Sequence, residues 1–129
     1  MAIHLNQHER SANPALLHDV QTMAVLARRM VRDALDAFAR LDVSEAVDVK
    51  KQDKSLDLEF QSAIRHLITY MMEDPRTIGR AIDVLFVVKA LERIGDHAKN
   101  IGEYVIYLVK GKDIRHIGLD QAVQALEED

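Results

Sequence analysis

Residues 81–111 read AIDVLFVVKALERIGDHAKNIGEYVIYLVKG, and this stretch decides the fold. Its apolar and small residues recur every three or four positions, as on one face of an α-helix. They are Ala81, Val84, Val88, Leu91, Gly95, Ala98, Gly102, Val105 and Val109. Small residues on such a face let a second helix approach closely. We therefore predict one long packed helix that ends near Gly111, because glycine suits the left-handed position after a helix.

Helix-start signals divide the rest of the chain. Each signal places a capping side chain before the first turn, and two of the three add a proline there. The signals are Asn13-Pro14, Asp42 followed by Glu45, and Asp74-Pro75. The predicted helices therefore cover about 14–41, 43–73 and 75–110.

Apolar stripes accompany the first two helices as well. In the first helix the stripe comprises Leu17, Val20, Ala24, Ala27, Val31, Ala34, Phe38 and Leu41. In the second helix it comprises Phe60, Ile64, Leu67 and Met71. Met23 and Met30 are interpreted as core residues. Residues 1–12 show no periodicity and are interpreted as a leader. Residues 112–129 are interpreted as a polar tail, which is compatible with a short helix over 120–127.

The connections between these helices are only a few residues long, so neighbouring helices must run antiparallel. The predicted fold class is all-α: an antiparallel, up-down-up three-helix bundle that covers residues 13–111. The chain has 129 residues, of which 48% are hydrophobic and only 5% aromatic. That composition supplies one domain with a core built from aliphatic side chains, alanine and methionine.

Composition also excludes several classes of protein. The chain contains no cysteine, so disulfides and thiolate metal sites are excluded. Its apolar runs fall short of a membrane span, and no secretory signal opens it. A net charge of −4 does not favour nucleic acid as a partner. We expect a cytoplasmic protein.

Two acidic pairs stand out on the second and third helices. Asp53 and Asp57 lie one helical turn apart, and so do Glu92 and Asp96. Both pairs continue the apolar stripes, where solvated acids are not expected. Residues equally far from the turn near Asp74 lie side by side in a helical hairpin. The register therefore predicts that Asp53 meets Asp96, that Asp57 meets Glu92, and that four carboxylates converge at one level of the bundle.

Converging carboxylates need compensating charge. One solution is a metal ion: oxygen ligands suit Mg²⁺, Mn²⁺, Ca²⁺ or ferric iron, and Zn²⁺ is a further candidate. In that case Asn100 or His97 is a possible additional ligand or holds water beside the ion. The other solution is salt bridging to basic residues that are near in sequence. These are Lys50, Lys54, Lys89, Arg93 and Lys99, of which Lys89 lies on the acidic stripe itself. The sequence leaves both solutions open.

Residues 90–116, ALERIGDHAKNIGEYVIYLVKGKDIRH, closely resemble the signature of the PhoU family of phosphate-signalling regulators. The matching features are the pair Glu92 and Asp96, then Asn100, then the helix end Val109-Lys110-Gly111. Asp53 and Asp57 supply the second acidic pair that the family carries on the preceding helix. The stretch RDALDAFARLD, residues 32–42, is similar to the family's first helix. The resemblance extends over most of residues 14–116.

This resemblance implies a negative regulator of phosphate-starvation signalling and phosphate uptake, and not an enzyme. It implies an adaptor that contacts the ATP-binding subunit of a phosphate ABC transporter and a membrane sensor histidine kinase, and so associates peripherally with the membrane. It also implies metal ions on the carboxylate motifs. PhoU proteins contain two three-helix repeats, and this chain resembles the second. We expect the bundle face left uncovered to be filled by a homodimer.

Three other classes of function use helical bundles of this size. A di-metal carboxylate oxidase would use Glu-x-x-His pairs, which the chain lacks. A phosphotransfer bundle would use His97 as phosphoacceptor, but Lys99 does not stand at the usual spacing from it. A helical interaction module with salt-bridged acids and no metal is the main alternative.

Overall fold

The structure is a computed structural model that describes the backbone of residues 14–128 and the side chains of residues 14–111. Three α-helices are observed: α1 (Pro14–Arg40), α2 (Val43–Glu73) and α3 (Ile78–Glu128). A short 3₁₀ helix, Pro75–Thr77, precedes α3. Each helix packs against both others. The predicted all-α three-helix bundle is therefore confirmed, whereas the predicted leader, residues 1–12, lies outside the described residues.

The core is aliphatic, with alanine and methionine in place of large aromatic rings. Met23, Met30, Val49, Leu56 and Val88 are fully or almost fully buried. The stripe predicted for α3 is confirmed at its buried positions, which include Ala81, Val84, Ala98 and Val105. The bundle therefore closes around small and medium-sized aliphatic side chains that allow short distances between helices.

The stripe predicted for α1 is confirmed at Ala27 and Ala34, which are buried, but elsewhere it is wrong by a rotation of about one residue. The buried positions of α1 are Leu16, Asp19, Met23, Ala27, Met30, Ala34 and Ala37. Phe38 and Leu41, which the prediction placed in the core, are 48% and 44% exposed. Apolar residues occupy more than one face of α1, so periodicity alone allows neighbouring stripes. Packing selects the stripe richest in alanine and methionine, because it lets α1 approach two helices at once.

One charged side chain lies in this core. Asp19 of α1 is buried, and its Oδ2 accepts a hydrogen bond from Nδ1 of His66 on α2. His66 itself keeps part of its ring exposed. A buried carboxylate is stable only when it is paired, so the two residues form a polar clip between α1 and α2.

Both predicted caps between helices are observed. Asp42 caps α2 through a hydrogen bond from the backbone N–H of Glu45, at 3.1 Å. Leu41, with φ of 53°, adopts the left-handed conformation that turns the chain there. Asp74 accepts a hydrogen bond from the N–H of Arg76, also at 3.1 Å, and so caps the 3₁₀ turn. These turns fix the register of α2 against α3.

The predicted end of the third helix near Gly111 is wrong. α3 continues to Glu128, and none of the described glycines has a positive φ. Gly111 therefore does not take the left-handed conformation that a terminal glycine requires. α3 has 51 residues against 31 in α2, or about 76 Å against about 46 Å of helix. Its C-terminal part therefore extends past the other two helices.

Replacing Gly111 with alanine tests this continuity. Alanine favours the interior of a helix over glycine by about 0.5–1 kcal/mol, and a Cβ at Gly111 would meet nothing within 4 Å. We expect Gly111→Ala to raise helical circular dichroism and to slow amide hydrogen exchange in the residues around it. A glycine at a left-handed helix end would give the opposite result, with faster exchange and less helix.

Among the described residues, no helix combines the length and the apolar character needed to cross a bilayer.

Candidate metal centre

α2 and α3 are in close contact at the level of the acidic pairs. Leu56 lies between the two acids of α2, and Gly95 lies between the two acids of α3. A Cβ placed on Gly95 would stand 2.1 Å from Cδ2 of Leu56, so Leu56 would have to shift to admit any larger residue there. A second, less severe close contact lies two turns further along α3, where a Cβ on Gly102 would stand 3.1 Å from the carbonyl oxygen of Ala46. The absence of a side chain at Gly95 lets the two helices approach closely where the carboxylates lie.

The four predicted carboxylates line one open cleft between α2 and α3. Among the carboxylates, Asp96 raises the pKa of Asp53 most, and Asp57 raises the pKa of Glu92 most. The structure therefore brings the pairs together in the register that the sequence predicts. Their burial is less than expected, since the Asp53 side chain is 25% exposed and that of Asp96 58% exposed. The acids stand at the rim of the buried seam and not within it.

Two of the four carboxylates, Asp53 and Glu92, have a raised pKa. Burial raises the pKa of Asp53, Lys99 opposes that rise, and Asp96 adds to it, as do Asp57 and another glutamate of α3. Burial likewise raises the pKa of Glu92, and the neighbouring carboxylates add to the rise, Asp57 most of all. The cleft therefore carries negative charge that is not fully balanced by its own cations.

Lys89, Arg93 and Lys99 all line this cleft, and among the described side chains Lys99 is the one that pairs with its acids. Its Nζ lies 3.8 Å from Oδ2 of Asp53 and 3.6 Å from Oδ1 of Asp96, so it joins one acid of each helix. Lys99 is one of the five candidate cations named from the sequence, of which Lys89 was the one on the acidic stripe itself. The positive charge of Lys89 lowers the pKa of Glu92, but Lys89 forms no ion pair with it among the described side chains. Lys50 pairs instead with Glu103, at 3.9 Å.

The two additional candidate ligands lie in different positions. His97 lines the cleft, whereas Asn100 is exposed and is not among the lining residues. One acid has a local partner, since Nε2 of Gln61 donates a hydrogen bond to Oδ2 of Asp57 at 3.1 Å.

The donor set determines which ion the cleft suits. Asp53, Asp57, Glu92 and Asp96 offer only oxygen ligands, which suit a hard cation. In the part of the chain with described side chains, no three acidic or histidine groups are already arranged around one point as in a preformed site. The residues present fit such an ion by charge and by chemistry, and their assignment as ligands stays a prediction.

Comparison with known proteins identifies the family to which this bundle belongs. The PhoU domain family matches residues 20–105, and the chain belongs to the PhoU family. It is 52% identical over 111 residues to the phosphate-specific transport system accessory protein PhoU homolog of Pseudomonas putida, covering 86% of this chain and 43% of that protein. It is 45% identical over 106 residues to PhoU of Escherichia coli K12, covering 82% and 44% respectively.

A crystal structure of PhoU from Pseudomonas aeruginosa matches this fold with a TM-score of 0.75 and 47% identity, covering 85% of this chain and 52% of that one. This chain therefore spans about half the length of the curated relatives it matches. The resemblance that sequence analysis drew from residues 90–116 is confirmed. The relatives are named as accessory proteins of a transport system, so the family is regulatory and not enzymatic, as predicted.

Proposed function

We propose that this chain is a metal-binding regulatory domain of a phosphate-specific transport system, and that it restrains phosphate-starvation signalling and phosphate uptake. Membership of the PhoU family supports the regulatory role. The single observation that carries the metal-binding role is the convergence of four carboxylates from two helices in one cleft. Asp53, Asp57, Glu92 and Asp96 would hold iron, Mn²⁺, Mg²⁺ or Zn²⁺ through their oxygen atoms.

The adaptor role requires partner proteins. We propose that the domain contacts the ATP-binding subunit of the phosphate transporter and a membrane sensor histidine kinase, and thereby associates with the membrane from the cytoplasm. The names of the relatives, accessory proteins of phosphate-specific transport, support the first contact. A homodimer, or a second bundle of the same kind, would cover exposed apolar side chains such as Met72 and Phe86, which are 78% and 69% exposed.

A helical interaction module without metal is the second candidate. One observation favours it: Lys99 already joins Asp53 to Asp96, as a salt-bridged cleft would require. The two candidates differ in what balances the charge of the remaining acids, so a measurement of metal binding separates them.

Metal binding by the purified chain tests the proposal. We expect the parent to bind Mn²⁺ in isothermal titration calorimetry, and the Asp57→Asn/Asp96→Asn variant to bind at least about tenfold more weakly, because each half of the cleft loses a charged ligand. The matched control is Asp48→Asn/Asp83→Asn, which removes two exposed acids of the same helices away from the cleft. It should bind like the parent.

Equal binding by the parent and both variants would place the ion elsewhere. If the parent chain binds neither Mn²⁺ nor iron, the metal-binding role is contradicted and the helical interaction module with salt-bridged acids is the better explanation. The adaptor role is measured separately, as retention of the chain on the immobilised ATP-binding subunit of the phosphate transporter. Retention is expected with metal present and should fall for the Asp57→Asn/Asp96→Asn variant; no retention of the parent would contradict the adaptor role.

A further inference from the structure

We propose that Lys99 is the internal counter-ion of the acidic cleft, which an incoming metal ion must displace, and that Lys99 thereby lowers the affinity of the cleft for metal. This inference rests on the proposed metal-binding function. It concerns how the site is regulated, and it assigns a role to a residue that is not a ligand.

The position of Lys99 carries the inference. Its ammonium lies between Asp53 of α2 and Asp96 of α3, at 3.8 and 3.6 Å. These acids belong to different pairs, so Lys99 occupies the space between the helices where an ion held by both acids would lie. The Lys99 side chain is 30% exposed and can therefore swing to solvent through its long stem.

Lys89 and Arg93 also line the cleft, but among the described side chains neither forms an ion pair within 4 Å. Among residues with described side chains, Asp57 and Glu92 take part in no ion pair within 4 Å. Their half of the cleft is open to an ion, whereas the half with Asp53 and Asp96 is closed by Lys99. A metal ion that engages all four acids must therefore remove the ammonium, because like charges a few ångströms apart repel each other.

Removing the charge of Lys99 should consequently strengthen metal binding. We expect Lys99→Met, which preserves an unbranched side chain, to bind Mn²⁺ about tenfold more tightly than the parent in calorimetry. The matched control is Lys110→Met, which removes one exposed positive charge of α3 far from the cleft. It should change the affinity less than twofold. Lys99→Arg keeps the charge and should bind no more tightly than the parent.

Thermal unfolding supplies a readout besides affinity. In chelator, Lys99→Met should unfold at a lower temperature than Lys110→Met, because its ion pairs are lost and four carboxylates face one another unbalanced. With saturating Mn²⁺ this order should reverse. Lys99→Gln, a polar replacement, should show the same reversal, so that poor folding of one variant does not decide the result.

The outcomes separate the two proposals. Binding by the parent with equal affinities for Lys99→Met and Lys110→Met would overturn the role of Lys99 and leave the metal site intact. Absence of binding in the parent and in all Lys99 variants would overturn the metal site itself, and this inference with it.

Discussion

Replacing His66 with leucine is expected to lower the free energy of unfolding by about 2 kcal/mol, within the 1–3 kcal/mol typical of a buried polar group that loses its partner. The Asp19 side chain is only 6% exposed, and His66 donates the hydrogen bond to it. Leucine would leave a buried carboxylate facing an apolar group, with no hydrogen bond to compensate for its loss of contact with water. Urea unfolding followed by circular dichroism at neutral pH measures the loss.

Two control variants make this result specific. His18→Leu changes an exposed histidine next to Asp19 in sequence, and it should shift stability by less than about 0.5 kcal/mol. The double variant Asp19→Leu/His66→Leu replaces both partners with apolar groups and should recover most of the loss. If His66→Leu were as stable as His18→Leu, the clip between α1 and α2 would not contribute to stability.

Replacing Gly95 with alanine should have the second large effect. The added Cβ would stand 2.1 Å from Cδ2 of Leu56 and 3.5 Å from the sulfur of Met30. The distance to Met30 is an ordinary contact, but Leu56 is 1% exposed and its terminal methyl group cannot move away without displacing other core side chains. Overpacking of this kind costs about 1–3 kcal/mol, against up to about 1 kcal/mol that alanine returns to a helix. We expect a net loss of about 1–2 kcal/mol in urea unfolding.

Gly79→Ala is the matched control, because it is the same substitution in the same helix and its Cβ would meet nothing within 4 Å. It should leave stability unchanged or raise it by up to about 1 kcal/mol. Gly95→Ala should also weaken Mn²⁺ binding, since it separates α2 from α3 at the level of the carboxylates. Equal stability of the two variants would show that the helices are not in close contact there.

The sequence predicted those parts of the fold that depend on one dominant pattern. The stripe through Val84, Val88 and Val105 follows the spacing of a helix without interruption, and the structure buries it. The caps at Asp42 and Asp74 set the hairpin register, so the meeting of the two acidic pairs could be predicted from counting alone.

Other features could not be predicted, because several faces of the same helix carry similar patterns of apolar residues. Val25 and Leu35 of α1 are 59% and 55% exposed, so hydrophobicity did not distinguish the buried face. Asp19 lies three residues after Leu16 and four before Met23, a spacing that would have placed it in the core had the other stripe been chosen. Lys99 forms the ion pairs and Lys89 does not, because of how far each side chain extends across the groove between α2 and α3. The periodicity of the sequence carries no information about that distance.

The hairpin between α2 and α3 has a consequence for how such chains change in length. The two acidic pairs meet because each lies the same distance from the turn at Asp74. Deletion of one residue in either arm would rotate its pair by about 100° and shift it by 1.5 Å along the axis. Insertions or deletions between Asp57 and Glu92 therefore preserve the cleft only when the parts of α2 and α3 on either side of the turn change by the same number of residues. That number must be about seven, which is close to two full helical turns. The number of residues between the turn and each acidic pair therefore determines where the site forms.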